Sequence, residues 1–112
     1  MVNESTPYNE KVERNVLGAL ITSERALVNN IQFLSEDCFY LFNNKKIFNA
    51  IISLFNKNQN INILSLENEL KKYKKASEEV IDLSSEASVY NIQELVFILK
   101  EYKIRRELII LS

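Results

Sequence analysis

Glycine and proline are almost missing from this chain, and that scarcity constrains its fold more than any other feature. Among 112 residues there is one Gly, Gly18, and one Pro, Pro7. Sheet-rich folds need many tight turns, which depend on Gly, Pro and Asn. The sequence therefore predicts an all-α fold, a small helical bundle whose helices are joined by short polar loops. The length suits a single domain.

Apolar residues recur at helical spacing along most of the chain, and polar residues that can cap a helix precede several of these stretches. Predicted caps are Asn9, Ser23, Asn43 or Asn44, and Asn62 or Ser65. The second helix is predicted to run through Leu34. Residues 35–42 are predicted to form a turn that places three aromatic side chains in the core. The lysines from Lys71 to Lys75 are predicted in the last turn of the fourth helix, where cations suit the negative dipole end. A short fifth helix is predicted around Val80, and a loop at 84–90.

Three regions follow from this pattern: a flexible N-terminal segment at 1–8, a head of about five helices at 9–90, and a final helix at 91–112. The final helix carries apolar residues on two opposite sides. One side has Ile92, Leu95, Leu99, Tyr102 and Ile109, and the other has Phe97, Ile104, Leu108 and Leu111. A helix that docks on one core needs one apolar side. The second side therefore predicts self-association. The helix shows no stop signal, so we expect a chain cut from a longer protein.

Enzyme functions are disfavoured by the residues that the chain lacks. It has no His, one Cys and one Gly, so it can build neither a common zinc site nor a phosphate-binding loop. No catalytic residue, cofactor or metal is predicted. The lone thiol, Cys38, is expected to be buried, and it fits a reducing cytoplasm. No apolar run is long enough to span a membrane.

Charge gives little reason to expect nucleic-acid binding. The net charge is −1, and acidic residues at 78, 79 and 82 follow the lysine cluster closely. Little direct DNA binding is therefore expected, and the lysines are interpreted as a solvated helix end. Arg106 falls within an apolar stripe, and two interpretations of it stay open. Its side chain either snorkels to solvent or faces a partner.

A series of short motifs, in order along residues 7–109, resembles the N-terminal domain of bacterial replicative DNA helicases of the DnaB family. The motifs are Pro7-Tyr8-Asn9, Glu13, Val16-Leu17-Gly18, Asp37 with Phe39-Tyr40, Ile47-Phe48, Asn62 to Leu66 with Leu70, Asn91-Ile92, Ile98 to Glu101 and Arg106-Glu107. The sequence departs from the family at Leu95, where Tyr is usual, at Val12, where Ala is common, and at 75–79, where a Gly-Gly pair is missing.

The resemblance implies a collar domain that mediates subunit pairing and assembly of a homodimer or hexamer, and that docks the C-terminal domain of primase, with a helicase loader as a further partner. The helix from Asn91 would be the first arm of a helical hairpin. A linker and an ATPase domain that uses ATP and Mg²⁺ would follow, in a cytoplasmic 5′–3′ DNA helicase at replication forks. Lys103 and Arg106 are candidates for primase docking, because they lie on the charged rim of the last helix.

Three other functions stay open: the helicase-binding domain of a primase, a small DNA-binding protein, and an enzyme. The position of Asn9 to Gly18 at the beginning of the chain favours the helicase domain over the primase domain. A primase domain would lie at a C-terminus, and its last helix would show a stop signal.

Overall fold

The computed structural model describes residues 6–86 and 91–111, and within these ranges the chain is all-α, as predicted. Five helices form the head: α1 (Glu10–Thr22), α2 (Glu24–Asn30), α3 (Phe42–Asn56), α4 (Ile63–Glu69) and α5 (Lys74–Ser85). Two single 3₁₀ turns, Ile31–Phe33 and Glu36–Cys38, connect α2 to α3. The last helix, α6, spans Ile92–Leu111. No strand occurs in the described ranges.

Helix α1 lies at the centre of the domain and contacts α2, α3, α5 and α6. The Asn9 side chain caps it by accepting a hydrogen bond from Val12 N at 3.1 Å, as predicted from the sequence. Val16, Leu17 and Leu20 are buried on its inner faces. One capped helix thus supplies the surface on which the others pack.

Helix α2 is shorter than predicted. Ser23 caps it and accepts from Ala26 N at 3.1 Å, but the helix ends at Asn30 rather than continuing to Leu34. The Asn30 side chain donates to the carbonyl of Ala26 at 2.8 Å. Asn competes in this way for backbone groups and favours helix ends, and the chain tightens into a 3₁₀ turn.

Helix α3 begins at Phe42, so the predicted cap at Asn43 or Asn44 is wrong. The cap position is Leu41, whose side chain makes no capping hydrogen bond. The prediction that three aromatics enter the core is also wrong. Phe39 is fully buried and packs on Phe48 with ring centroids 5.0 Å apart, whereas the side chains of Tyr40 and Phe42 stay exposed.

The lysine cluster lies between the end of α4 and the start of α5. Asn62 and Ser65 form a reciprocal capping box at the start of α4, as the sequence indicated. This helix ends at Glu69, so the prediction that the lysines occupy its last turn is wrong. Lys71 and Lys72 lie in the turn, while Lys74 opens α5. The chain turns there because Leu70 is buried and Tyr73 N donates back to Leu70 O at 2.8 Å. Twelve residues form α5, and its buried residues are Ala76, Val80 and Leu83.

The predicted loop at 84–90 is wrong at its start, because α5 continues to Ser85. Residues 87–90 of that loop lie outside the described residues. Asn91 accepts from Gln93 N at 2.9 Å, so the last helix starts where the sequence predicted. Cys38 is buried, also as predicted. No helix in the described ranges is long and apolar enough to cross a membrane.

Candidate interaction surface

The inner face of α6 docks on the head along the first half of the helix. It contacts α1, α2 and the 3₁₀ turn Glu36–Cys38. Val96 and Leu99 join the hydrophobic core, and Ile92 and Leu95 pack against it as half-buried neighbours. Tyr102 is half-buried, whereas Ile109, predicted on the same face, is exposed. The predicted inner stripe therefore covers the head up to Tyr102.

Arg106 extends this docking by binding backbone carbonyl groups of the head. Its guanidinium donates to Pro7 O at 3.0 Å, to Asp37 O at 2.9 Å and to Cys38 O at 3.3 Å. The residue is 9% exposed. The side chain is thus neither a snorkelling arginine nor one presented to solvent. It ties α6 to two other segments of the same chain, including a residue of the N-terminal segment that was predicted to be flexible.

The ring of Tyr40 packs against this arginine, and the backbone of Tyr40 is in turn held by the buried carboxylate of Glu13. Tyr40 lies below the guanidinium, with its ring centroid 5.7 Å from the guanidinium carbon, and stacks on Tyr8 at 4.8 Å. Glu13 is fully buried. Its carboxylate accepts from Tyr40 N at 2.8 Å, from Leu41 N at 3.4 Å and from the Asn44 amide at 2.9 Å. A carboxylate at the start of α3 satisfies backbone N–H groups and suits the positive dipole end, so Glu13 of α1 caps α3.

The outer face of α6 is apolar and exposed. It consists of the four residues predicted for self-association: Phe97 is 65% exposed, Ile104 53%, Leu108 61% and Leu111 82%. They are separated by seven, four and three residues, which is the spacing of a coiled-coil seam. We call these four residues the outer face. These exposed apolar side chains make the outer face a candidate interaction surface.

Charged side chains border the outer face and line a cavity at the far end of α6. Lys103 Nζ lies 3.3 Å from Glu107 Oε2, an i,i+4 ion pair. Arg105 lies over the ring of Tyr102, 4.8 Å from its centroid. The cavity measures about 460 Å³ and includes both primase-docking candidates, Lys103 and Arg106. The structure therefore brings these two residues together, although the guanidinium of Arg106 is engaged by the head.

An ion-pair network joins α1 to the end of α5. Arg14 donates to both carboxylate oxygens of Glu86, at 2.9 and 3.0 Å, and to Glu79 Oε1 at 3.1 Å. The hydrogen bond from Arg14 lowers the pKa of Glu86 below its ordinary value. The bond to Glu86 also raises the pKa of Arg14. The network fixes the end of α5 from which the chain leads on to α6.

The buried polar groups of the domain serve its own folding. In residues 6–86 and 91–111 every buried side-chain nitrogen and oxygen has a hydrogen-bond partner. The same ranges contain no cluster of three His, Cys, Asp or Glu side chains that could hold a metal ion.

Residues 5–101 match a family model described as the DnaB-like helicase N terminal domain. The match spans most of the chain, from the segment preceding α1 into α6. The chain belongs to this family. The DnaB-like assignment selects the helicase domain over the helicase-binding domain of a primase, which the sequence had left open.

Curated relatives and a solved structure agree with this family. The replicative DNA helicase DnaB of Rhodothermus marinus is 30% identical over 66 residues, which is 59% of this chain and 7% of that protein. A probable replicative DNA helicase of Trieres chinensis is 33% identical over 66 residues, 59% of this chain and 14% of that protein. The chain thus spans a small part of the length of these relatives.

The fold is that of a crystallised DnaB domain. The N-terminal domain of DnaB helicase from Mycobacterium tuberculosis superposes with a TM-score of 0.86 at 20% identity, over 94% of this chain and 79% of that one. At this identity the likeness shows a shared fold.

Sequence reasoning missed the role of Glu13, and a signal was available. Glu13 precedes Val16 and Leu17 by three and four residues, which places it on the buried side of α1. A carboxylate on an apolar face predicts a buried hydrogen-bond acceptor. The groups it binds, 27 to 31 residues away, have no signal in the local sequence.

Proposed function

We propose that this domain is the N-terminal collar domain of a replicative DNA helicase, and that copies of it pair through the outer face of α6 during assembly of the parent hexamer. The observation that carries the proposal is the exposed apolar row opposite the docked face of one helix. The head already covers the inner face, so the outer face is available to a second copy. Two-fold pairing is the commonest closed arrangement of identical chains.

The relatives, rather than this domain, support the activity proposed for the parent protein. The two curated relatives are named as replicative DNA helicases. We propose that the parent is a cytoplasmic 5′–3′ helicase acting at replication forks, and that it binds ATP and Mg²⁺ in a separate ATPase domain. The role of the present domain is assembly and docking.

Pairing is tested by changing Leu108 to Asp. Pairing would bury this carboxylate, and an unpaired buried charge costs several kcal/mol, so the dissociation constant of the dimer should rise by at least about a hundredfold. The matched control is Leu64→Asp, because Leu64 is 78% exposed on α4 and lies away from α6. Sedimentation equilibrium over a range of chain concentrations measures both. Equal masses for the wild type, Leu108→Asp and Leu64→Asp at every concentration would contradict pairing through α6.

Primase docking is proposed at the cavity that Lys103 lines, with a helicase loader as a further candidate partner. Lys103→Glu should slow association with the C-terminal domain of primase, because rim charges act mainly on the association rate. Arg106 is a poor probe because its loss disturbs the domain itself. The assay is a titration of labelled primase domain against intact parent hexamer, with Lys11→Glu as the control for net charge. Binding that is unchanged in Lys103→Glu would remove this residue from the docking site.

A further inference from the structure

The lysine cluster and two exposed aromatic rings come together on one surface of the head. Phe42 at the start of α3 and Tyr73 before α5 meet edge to face, with centroids 6.0 Å apart. Lys46 Nζ lies over both rings, 5.1 Å from the Phe42 centroid and 5.0 Å from that of Tyr73. Tyr73 stands in the run Lys71–Lys75, whose four lysines are all exposed. We call Phe42, Lys46 and the run Lys71–Lys75 the lysine–aromatic patch.

Two lysines of the patch, Lys74 and Lys75, lie where cations do not help the domain to fold. Lys74 and Lys75 occupy the first turn of α5, and that turn has no acidic residue. The N-terminus of a helix carries partial positive charge, so cations there are unfavourable, and neighbouring lysines repel one another. An anionic partner would relieve both effects.

Two of the acidic side chains near the patch are engaged elsewhere. Glu69 is bonded to Lys57 at 3.0 Å, and Glu79 is bonded to Arg14 at 3.1 Å. Glu67 on α4 and Glu78 and Asp82 on α5 leave three carboxylates against five lysines. The cancellation of charge expected from the sequence is therefore incomplete on this surface.

The exposed rings indicate the class of anion. Phe42 is 60% exposed and Tyr73 is 37% exposed. Unpaired bases stack on exposed aromatic side chains while lysines follow the phosphates. The bases of a duplex are already stacked on one another, and the carboxylates of an acidic peptide do not stack on aromatic rings. We propose that the lysine–aromatic patch binds single-stranded nucleic acid.

This inference goes beyond the proposed collar function and does not depend on it, because α6 contributes no residue to the patch. It is compatible with the expectation of little direct DNA binding, which concerns physiological salt. With five lysine–phosphate contacts, the logarithm of the affinity falls with the logarithm of salt at a slope of about −3.5, so each threefold rise in salt weakens binding by about fiftyfold. Binding is therefore measurable at low salt and weak at physiological salt.

The test is fluorescence anisotropy of a labelled oligothymidylate of about 15 nucleotides, titrated with the 112-residue chain over a range of low salt concentrations. The double variant Lys71→Ala with Lys72→Ala should reduce the slope to about −2.1. The double variant Lys11→Ala with Arg25→Ala removes the same charge from exposed sites on α1 and α2, and should leave the slope unchanged. Thermal melting confirms that each variant is folded.

Stacking is tested separately by Phe42→Leu, which keeps the charge and changes an exposed side chain. It should weaken binding by about tenfold and leave the salt slope unchanged. The proposal is overturned by any of four results: no binding at the lowest salt, equal losses in the two double variants, equal affinity for a duplex of the same length, or equal competition by polyglutamate of the same charge. The last result would assign the patch to an acidic protein segment.

Discussion

Replacing Arg106 with Met tests whether this side chain holds α6 on the head. The substitution keeps the apolar stem and removes three hydrogen bonds to the carbonyls of Pro7, Asp37 and Cys38. A hydrogen bond that involves a charged group contributes about 1.5–3 kcal/mol, and the desolvation of a buried guanidinium offsets part of the sum. We expect a net loss of about 2–4 kcal/mol in the free energy of unfolding.

The assay is urea and thermal unfolding followed by circular dichroism. For a domain of this size the expected loss corresponds to a fall in Tm of roughly 10–20 °C. The matched control is Arg105→Met, one residue earlier, because Arg105 is exposed and contacts the Tyr102 ring. That contact is worth about 0.5–1 kcal/mol. If the two variants unfold within about 0.5 kcal/mol of each other, the carbonyl bonds of Arg106 do not hold the helix.

Three further predictions concern the polar groups of the head. Glu13→Ala leaves two N–H groups and the Asn44 amide unpaired and should cost about 3–5 kcal/mol by urea unfolding; a loss below about 1 kcal/mol would refute the capping role. Asn62→Ala removes the α4 cap and should cost about 1 kcal/mol in the same assay, whereas Asn60→Ala in the preceding loop should cost less. Because bonding to Arg14 lowers the Glu86 pKa, the pair stabilises the domain above about pH 4.5 and loses this effect as pH falls through the folded pKa. In Arg14→Met the free energy of unfolding should therefore fall less steeply as the pH is lowered, and the difference should be below about 1 kcal/mol because Glu86 is exposed. The same dependence on pH in Arg14→Met and in the wild type would contradict the pairing.

The features that the sequence predicted correctly are those encoded by neighbouring residues. Asn9 and Asn62 cap helices by bonding residues three positions ahead, so a short window of sequence contains both partners. The two-sided character of α6 likewise follows from 3.6-residue periodicity alone. Its inner side was predicted in part: Leu99 is buried, but Ile109 is exposed and the buried Val96 was missed.

The features that it predicted wrongly depend on contacts between distant segments. The start of α3 was placed two or three residues late because its cap is Glu13, a residue of α1. The role of Arg106 depends on carbonyl groups 68 to 99 residues away. The lysine cluster was placed at the wrong helix end because the burial of Leu70, rather than any Gly or Pro, decides where the chain turns.

The central claim, that two copies pair through the outer face of α6, is tested most directly by oxidative cross-linking of single cysteines. A disulfide forms only when the two Cβ atoms come within about 4.5 Å, so cross-linking reports contact between copies. Cysteine is introduced in turn at Phe97, Ile104, Leu108 and Leu111, with Leu64→Cys as the exposed control; Cys38 is 1% exposed and should stay reduced. Pairing predicts rapid formation of a covalent dimer at one or more of the four α6 positions and little at Leu64. Cross-linking at all four positions that is no faster than at Leu64 would contradict the claim.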